Sequence, residues 1–140
     1  ELDSFIRSYL RKFNITYGHG TGHGVGYFND VHEKYPIISP QSNQKILDGN
    51  FFSIEPGFYA SNEFGLRLEN LYFAKKYSNG IKLEGVSLVP YDPDLINWKL
   101  INNQEKLSIK KYHRKIYETL KGQLEPEYKD YYKKYLIDKL

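Results

Sequence analysis

The stretch YGHGTGHGVGYFNDVHEK, residues 17–34, decides how this chain is read. Glycine occupies positions 18, 20, 22, 24 and 26, with His19, Thr21, His23 and Val25 between them. With His32, three of the chain's four histidines fall in this stretch. His19 and His23 have the i, i+4 spacing that puts two metal ligands on one helix face, as in HExxH. A helix here would carry five glycines, each costing about 1 kcal/mol relative to alanine, so that reading fails. An extended backbone fits the period of two, with glycines on one face and side chains on the other. At roughly 3.3 Å per residue, His19 and His23 then stand on the order of 13 Å apart, too far to share one metal. One histidine is expected to be a ligand and the others to have different duties. The bare glycine face lets backbone or a substrate come close. The plain alternative is a glycine-rich loop with incidental histidines, since short glycine patterns are weak motifs.

Two glutamates bear on that choice. Glu55 and Glu69 are flanked by Phe, Ile, Leu and Tyr. A carboxylate in such a strand costs several kcal/mol to bury unless it is paired or metal-bound. The simpler arrangement is a wet sheet face with both pointing to solvent. Against it, Pro56 pushes Glu55 into β geometry at a strand end, and Arg67 stands beside Glu69 as a natural carboxylate partner. One His with two Glu is a hard-to-borderline ligand set suited to Mn, Co or Zn. There is no cysteine, so disulfides and thiolate-metal sites are excluded.

The length of 140 residues allows one modest domain. No apolar run approaches the roughly 20 residues needed to span a membrane. The opening ELDSFIRSYLRKF is amphipathic rather than a signal peptide, and a helix at the first residue suggests a piece of something longer. Residues 104–140 hold 10 basic and 6 acidic residues, against 10 and 11 before them. The charges of this tail alternate along helical patterns, which reads as a solvated face rather than a nucleic-acid surface.

Leu2, Phe5, Ile6, Tyr9, Leu10 and Phe13 predict an amphipathic helix, ended by Asn14 and Gly18. Residues 35–50 read as a loop. NFFSIEPGFYA (50–60) reads as a strand broken at Pro56-Gly57 by a type II turn. FGLRLENLYFAKKY (64–77) and IKLEGVSLVPY (81–91) read as further strands, with Arg67 and Glu69 on one face of the former. Asn102 and Glu105 form a capping box for a helix of about 104–121, which Gly122 stops. Pro126 opens a last helix carrying Tyr128, Tyr131, Tyr132, Tyr135, Leu136 and Leu140.

HGTGHGVG, NDVHE, SIEPGFY and FGLRLENL resemble, in order and spacing, the catalytic domain of Xaa-Pro aminopeptidases, the proline-specific pita-bread metallopeptidases. The resemblance implies an α+β fold, the C-terminal part of a pita-bread domain: a curved antiparallel sheet with flanking helices and a helical tail. It divides the chain into 1–103, the C-terminal half of the catalytic domain, and 104–140, a two-helix extension for homodimerisation. It implies removal of the N-terminal residue from peptides with proline second, by a hydroxide held between two divalent ions, most often Mn, with Co or Zn as alternatives. His23, Glu55 and Glu69 match metal ligands, and Glu55 also matches the general base. His19 and His32 match catalytic histidines that hold the substrate, with His23 and Arg67 also at the substrate. Tyr27, Phe58 and Tyr59 are aromatic candidates for lining the cleft.

The family uses five ligands, two of them upstream aspartates, and no aspartate of this chain falls in that motif. The chain is therefore expected to be inactive alone and to need the upstream part of the same enzyme. The expected setting is cytoplasmic, with peptide substrates and neither nucleic acid nor membrane as partner. The competing readings are a prolidase-type dipeptidase, a methionine aminopeptidase, and an inactive pita-bread domain that binds peptides or histones. The HGTGHGVG form, the helical tail and the three intact ligand positions favour the aminopeptidase.

Overall fold

The computed structural model describes residues 1–28 and 30–138. It divides into two compact units, Glu1–Ser87 and Leu88–Leu140.

The first unit opens with α1 (Leu2–Arg11). The expected apolar stripe is split. Leu2, Ile6 and Leu10 are half-buried, but Phe5, Tyr9 and Phe13 are exposed, while Asp3 and Arg7 are buried. The inward face is thus partly ionic, which apolar periodicity cannot show. Asn14 ends the helical turn with a left-handed φ of 56°, a conformation asparagine tolerates.

Five antiparallel strands form the main sheet in the order β2-β1-β3-β6-β7. They are β1 (Gly22–Gly24), β2 (Glu33–Ile38), β3 (Phe51–Ile54), β6 (Asn70–Tyr77) and β7 (Gly80–Gly85). β4 (Gly57–Ala60) and β5 (Phe64–Arg67) pair apart as a hairpin. The core is Ile38, Phe52 and Ala74, with Leu2, Ile46, Ile54, Tyr72 and Leu83 packed on it.

Four local expectations are corrected. Part of the predicted 35–50 loop is strand β2, which carries Pro36; an edge strand tolerates a residue that cannot donate to the ladder. The chain does break at Pro56-Gly57, but positive φ among the described glycines occurs only at Gly49 and Gly80, so this is no type II turn. The single strand predicted for 64–77 is two, β5 and β6, interrupted at Leu68-Glu69. The last strand stops at Gly85 rather than running to residue 91.

Gly22 and Gly24 explain part of the glycine pattern. A Cβ on Gly22 would lie 1.9 Å from the Ser53 carbonyl oxygen, and one on Gly24 2.0 Å from that of Tyr35. β1 is clamped between β2 and β3 where only glycine fits.

The second unit starts with a 3-10 turn, Pro93–Leu95, capped by Asp92. α2 (Asn103–Leu120) has the predicted capping box, with Asn102 and Glu105 bonding each other's backbone N–H. α3 (Pro126–Tyr132) passes into a π-helical segment, Lys133–Asp138, rather than continuing as one α-helix. Leu140, expected on its stripe, lies outside the described residues. His113 is fully buried. Its Nδ1 donates to the Leu136 carbonyl at 3.0 Å and its Nε2 accepts the Tyr91 N–H at 3.1 Å. Among the described residues no helix is long and apolar enough to cross a membrane.

Candidate metal centre

β1 and β3 deliver the first two groups. His23 is the middle residue of β1, and its N–H donates to Ser53 Oγ at 3.1 Å. Its Nδ1 lies 2.8 Å from the Gly24 carbonyl oxygen, an acceptor, so Nδ1 carries the proton. That leaves Nε2 as the nitrogen that faces Glu55, and a carbonyl partner on Nδ1 is what orients a metal-ligating histidine. Glu55 follows β3 directly, and its N–H donates to the Thr21 carbonyl at 2.8 Å. It is buried, with Oε1 3.4 Å from His23 Nε2.

Glu69 comes from the break between β5 and β6. One ligand atom from each of His23, Glu55 and Glu69 lies within 4.8 Å of the others, and among the described residues this is the group able to hold a metal ion. Among the described residues no aspartate joins it. Two carboxylates this close repel unless a cation lies nearby. Arg67 supplies one positive charge, its Nη1 donating to Glu55 Oε2 at 3.0 Å. The Arg67 pKa is raised, chiefly by the hydrogen bond with Tyr59; burial opposes this, and Glu55 and Glu69 add to it.

Tyr59 links the remaining parts. Arg67 Nε donates to the Tyr59 hydroxyl at 3.0 Å. His19 Nδ1 donates to the Gly20 carbonyl at 2.7 Å, which leaves Nε2 to accept from the Tyr59 hydroxyl at 2.8 Å. A continuous run of hydrogen bonds therefore joins His19 to Glu55. The sequence offered Tyr59 only as an aromatic wall; its polar role was missed, because the register that pairs Arg67 with Gly57 and sets Tyr59 two residues along the same strand is not written in the sequence. Of the other two aromatic candidates, Tyr27 is fully exposed, and Phe58 meets Phe64 with ring centroids 5.8 Å apart.

His32 is exposed and outside the ligand group, its ring centroid 4.4 Å from that of His23. The structure thus brings His23, Glu55 and Glu69 together, sets Arg67 on Glu55, and leaves His19 and His32 as flanking imidazoles. One imidazole and two carboxylates, with the imidazole Nε2 turned toward the carboxylates, are a donor set that fits a hard-to-borderline divalent cation.

The model of metallopeptidase family M24 matches residues 1–76, and that of the C-terminal region of peptidase M24 matches residues 80–139. The chain is 37% identical over 132 residues to the putative Xaa-Pro aminopeptidase FRA1 of Saccharomyces cerevisiae, covering 90% of this chain and 18% of that protein. It is 40% identical over 129 residues to Xaa-Pro aminopeptidase 2 of Sus scrofa, covering 89% and 19%. The chain thus spans about a fifth of the length of the curated relatives it matches. Among solved structures it resembles the X-prolyl aminopeptidase of Caenorhabditis elegans, described as a cytosolic enzyme with a di-nuclear active site. The TM-score there is 0.83, with 26% identity over 96% of this chain and 24% of that one. A prolidase from Pyrococcus furiosus gives a TM-score of 0.52 and 30% identity, over 59% of this chain and 24% of that one.

Proposed function

This chain belongs to metallopeptidase family M24, and from that premise we propose that it is the C-terminal part of a Xaa-Pro aminopeptidase active site. The observation that carries the reading is the approach of His23, Glu55 and Glu69 within 4.8 Å, from segments far apart in sequence. These three would hold divalent metal, Mn in the first instance, with two aspartates from the upstream part of the same enzyme completing the set. Metal bound there would supply a water acidified for attack and a Lewis acid for the scissile carbonyl.

The chain's own residues do the rest. Glu55, with one oxygen held by Arg67, accepts the proton from the attacking water on its other oxygen. His19 and His32 flank the ligands and hold the peptide; a ring N–H of His32 donates toward the charge that develops on the carbonyl oxygen, while both ring nitrogens of His19 are engaged by the Gly20 carbonyl and the Tyr59 hydroxyl. His23 and Arg67 border the same space. A proline at the second position offers no N–H at the scissile bond, so recognition falls to the shape of the cleft. The extension from residue 104 pairs two copies into a homodimer. The cytosolic setting of the Caenorhabditis elegans neighbour is extended to this protein.

The experiment is hydrolysis of Xaa-Pro-Xaa peptides by the full-length protein, with metal and after chelation. Glu55→Gln keeps the shape of the side chain and loses the base, so kcat should fall about 10²–10⁴-fold with little change in KM. A loss confined to KM would make Glu55 a binding residue instead. The prolidase reading has the Pyrococcus furiosus likeness in its favour; cleavage of Xaa-Pro dipeptides in preference to longer peptides would select it. The intact ligand trio supports an enzyme over an inactive peptide- or histone-binding domain.

A further inference from the structure

The first unit buries an ion pair that takes no part in the centre described above. Asp3 and Arg7, one turn apart on α1, are 5% and 6% exposed. Arg7 Nε donates to both Asp3 carboxylate oxygens, at 2.9 and 3.1 Å. Its two terminal nitrogens donate to the carbonyls of Tyr17 at 2.9 Å and His19 at 2.7 Å. The guanidinium also lies over the Tyr17 ring, 3.9 Å from its centroid. Asp3 Oδ1 accepts from Thr21 Oγ1 at 2.5 Å, and Thr21 Oγ1 meets the Tyr17 hydroxyl at 2.6 Å.

Residues 17, 19 and 21 are therefore each gripped by the pair. The residues between them, Gly18 and Gly20, have no side chains with which to anchor the segment. The grip passes on through Thr21, whose carbonyl accepts the Glu55 N–H at 2.8 Å and whose own N–H donates to Ile38 at 2.7 Å. A buried ion pair is a weak source of stability, because an apolar pair of similar volume often does as well. A forked guanidinium that fixes two carbonyls at once is, however, a good source of geometry.

We infer that Asp3 and Arg7 are a positioning pair that sets His19 and Glu55 for the reaction proposed above without touching metal or substrate; the inference rests on that reaction. The pair fixes the His19 backbone directly and the Glu55 backbone through Thr21. It couples the placement of one flanking imidazole to that of the metal-binding carboxylate.

Three variants of the full-length protein test this. Arg7→Lys keeps the charge opposite Asp3 but replaces the fork with one ammonium. Thr21→Val keeps the volume and removes the hydroxyl. The double variant Asp3→Leu with Arg7→Met removes the ion pair without leaving a lone charge. Hydrogen exchange at the Glu55 amide of metal-free protein reads the geometry, and calorimetric titration with Mn²⁺ reads the ligand. Exchange should be at least about tenfold faster, and Mn²⁺ should bind about 10- to 100-fold more weakly, as for groups that orient metal ligands. Variants that melt at lower temperature yet keep wild-type exchange and affinity would overturn the inference and leave the pair purely structural. If the double variant does not fold, Arg7→Lys and Thr21→Val decide by the same two readouts. Full-length protein that binds Mn²⁺ but hydrolyses no peptide would refute the activity alone, because exchange and affinity still decide the role of the pair.

Discussion

Arg67 reaches Glu55 and Tyr59 with different nitrogens of one guanidinium, Nη1 on Glu55 Oε2 and Nε on the Tyr59 hydroxyl, each at 3.0 Å. The fork fixes the carboxylate and the route to His19 together. Arg67→Lys keeps the charge but cannot hold both partners in that plane. In the full-length protein it should lower metal affinity or kcat/KM by about 10- to 100-fold. Metal titration and steady-state kinetics on the same preparation would check this, and wild-type values in both would show that charge alone suffices.

The glycines of the His-bearing segment are not equivalent. A Cβ at Gly22 would meet Ser53 backbone oxygen at 1.9 Å, whereas at Gly18 nothing lies within 4 Å. Gly22→Ala should destabilise the first unit by about 3 kcal/mol or more, because strand backbone must move apart. Gly18→Ala should stay within about 0.5 kcal/mol of wild type. Chemical denaturation of both variants would test the contrast, and equal midpoints would contradict it.

His113 should make the second unit acid-sensitive. Burial lowers its pKa below the ordinary 6.5, opposed by the backbone bond to Leu136. The neutral ring is held from both sides, so protonation would break its acceptance of the Tyr91 N–H. Below about pH 6.5 the unfolded chain binds more protons at this position than the folded one, so stability falls as pH falls. Above that pH the contribution is complete and flat. The slope from this one group is at most about 1.4 kcal/mol per pH unit. Denaturation between pH 7.5 and 5 should show it, and His113→Phe should flatten that part of the profile. An unchanged slope in the variant would assign the acid sensitivity elsewhere.

The second unit, Leu88–Leu140, contains the extension from residue 104 proposed to pair two copies, and a cut after Ser87 removes the unit whole. Leu95, Leu100, Tyr128 and Tyr131 are exposed, and tyrosine is favoured at interfaces, where its ring is buried and its hydroxyl stays wet. Full-length protein should sediment as a dimer and the truncated form as a monomer that still binds metal. A truncated form that remains dimeric would rule out this unit as the contact.

What the sequence revealed depended on how local the cause was. The capping box at Asn102 and Glu105 and the break at Pro56 are set by neighbouring residues, and both appear. Glu55 and Glu69 drew notice because a carboxylate among apolar residues demands a partner, whereas His23 was singled out from the other histidines only by the family resemblance; the three side chains approach within 4.8 Å. β2 was hidden because Pro36 reads as a loop residue unless the strand is known to lie at a sheet edge. The exposure of Phe5, Tyr9 and Phe13 and the burial of Asp3 and Arg7 were hidden for a related reason. A helical period assigns charge to solvent, and the partners that reverse the assignment, Tyr17, His19 and Thr21, come from a glycine segment with no period of its own. His113 gave no signal, because the Tyr91 and Leu136 groups that hold it are backbone.

The central claim is that His23, Glu55 and Glu69 are ligands of one divalent centre. An anomalous difference map from crystals of the full-length protein grown with Mn²⁺ tests it most directly. The account predicts peaks within direct coordination distance of His23 Nε2 and of the Glu55 and Glu69 oxygens, about 2.0–2.2 Å for zinc at such ligands and slightly longer for the larger Mn²⁺. It also predicts that His23→Ala weakens those peaks while His32→Ala leaves them. Fully occupied Mn²⁺ elsewhere, with these three side chains unligated, would contradict it.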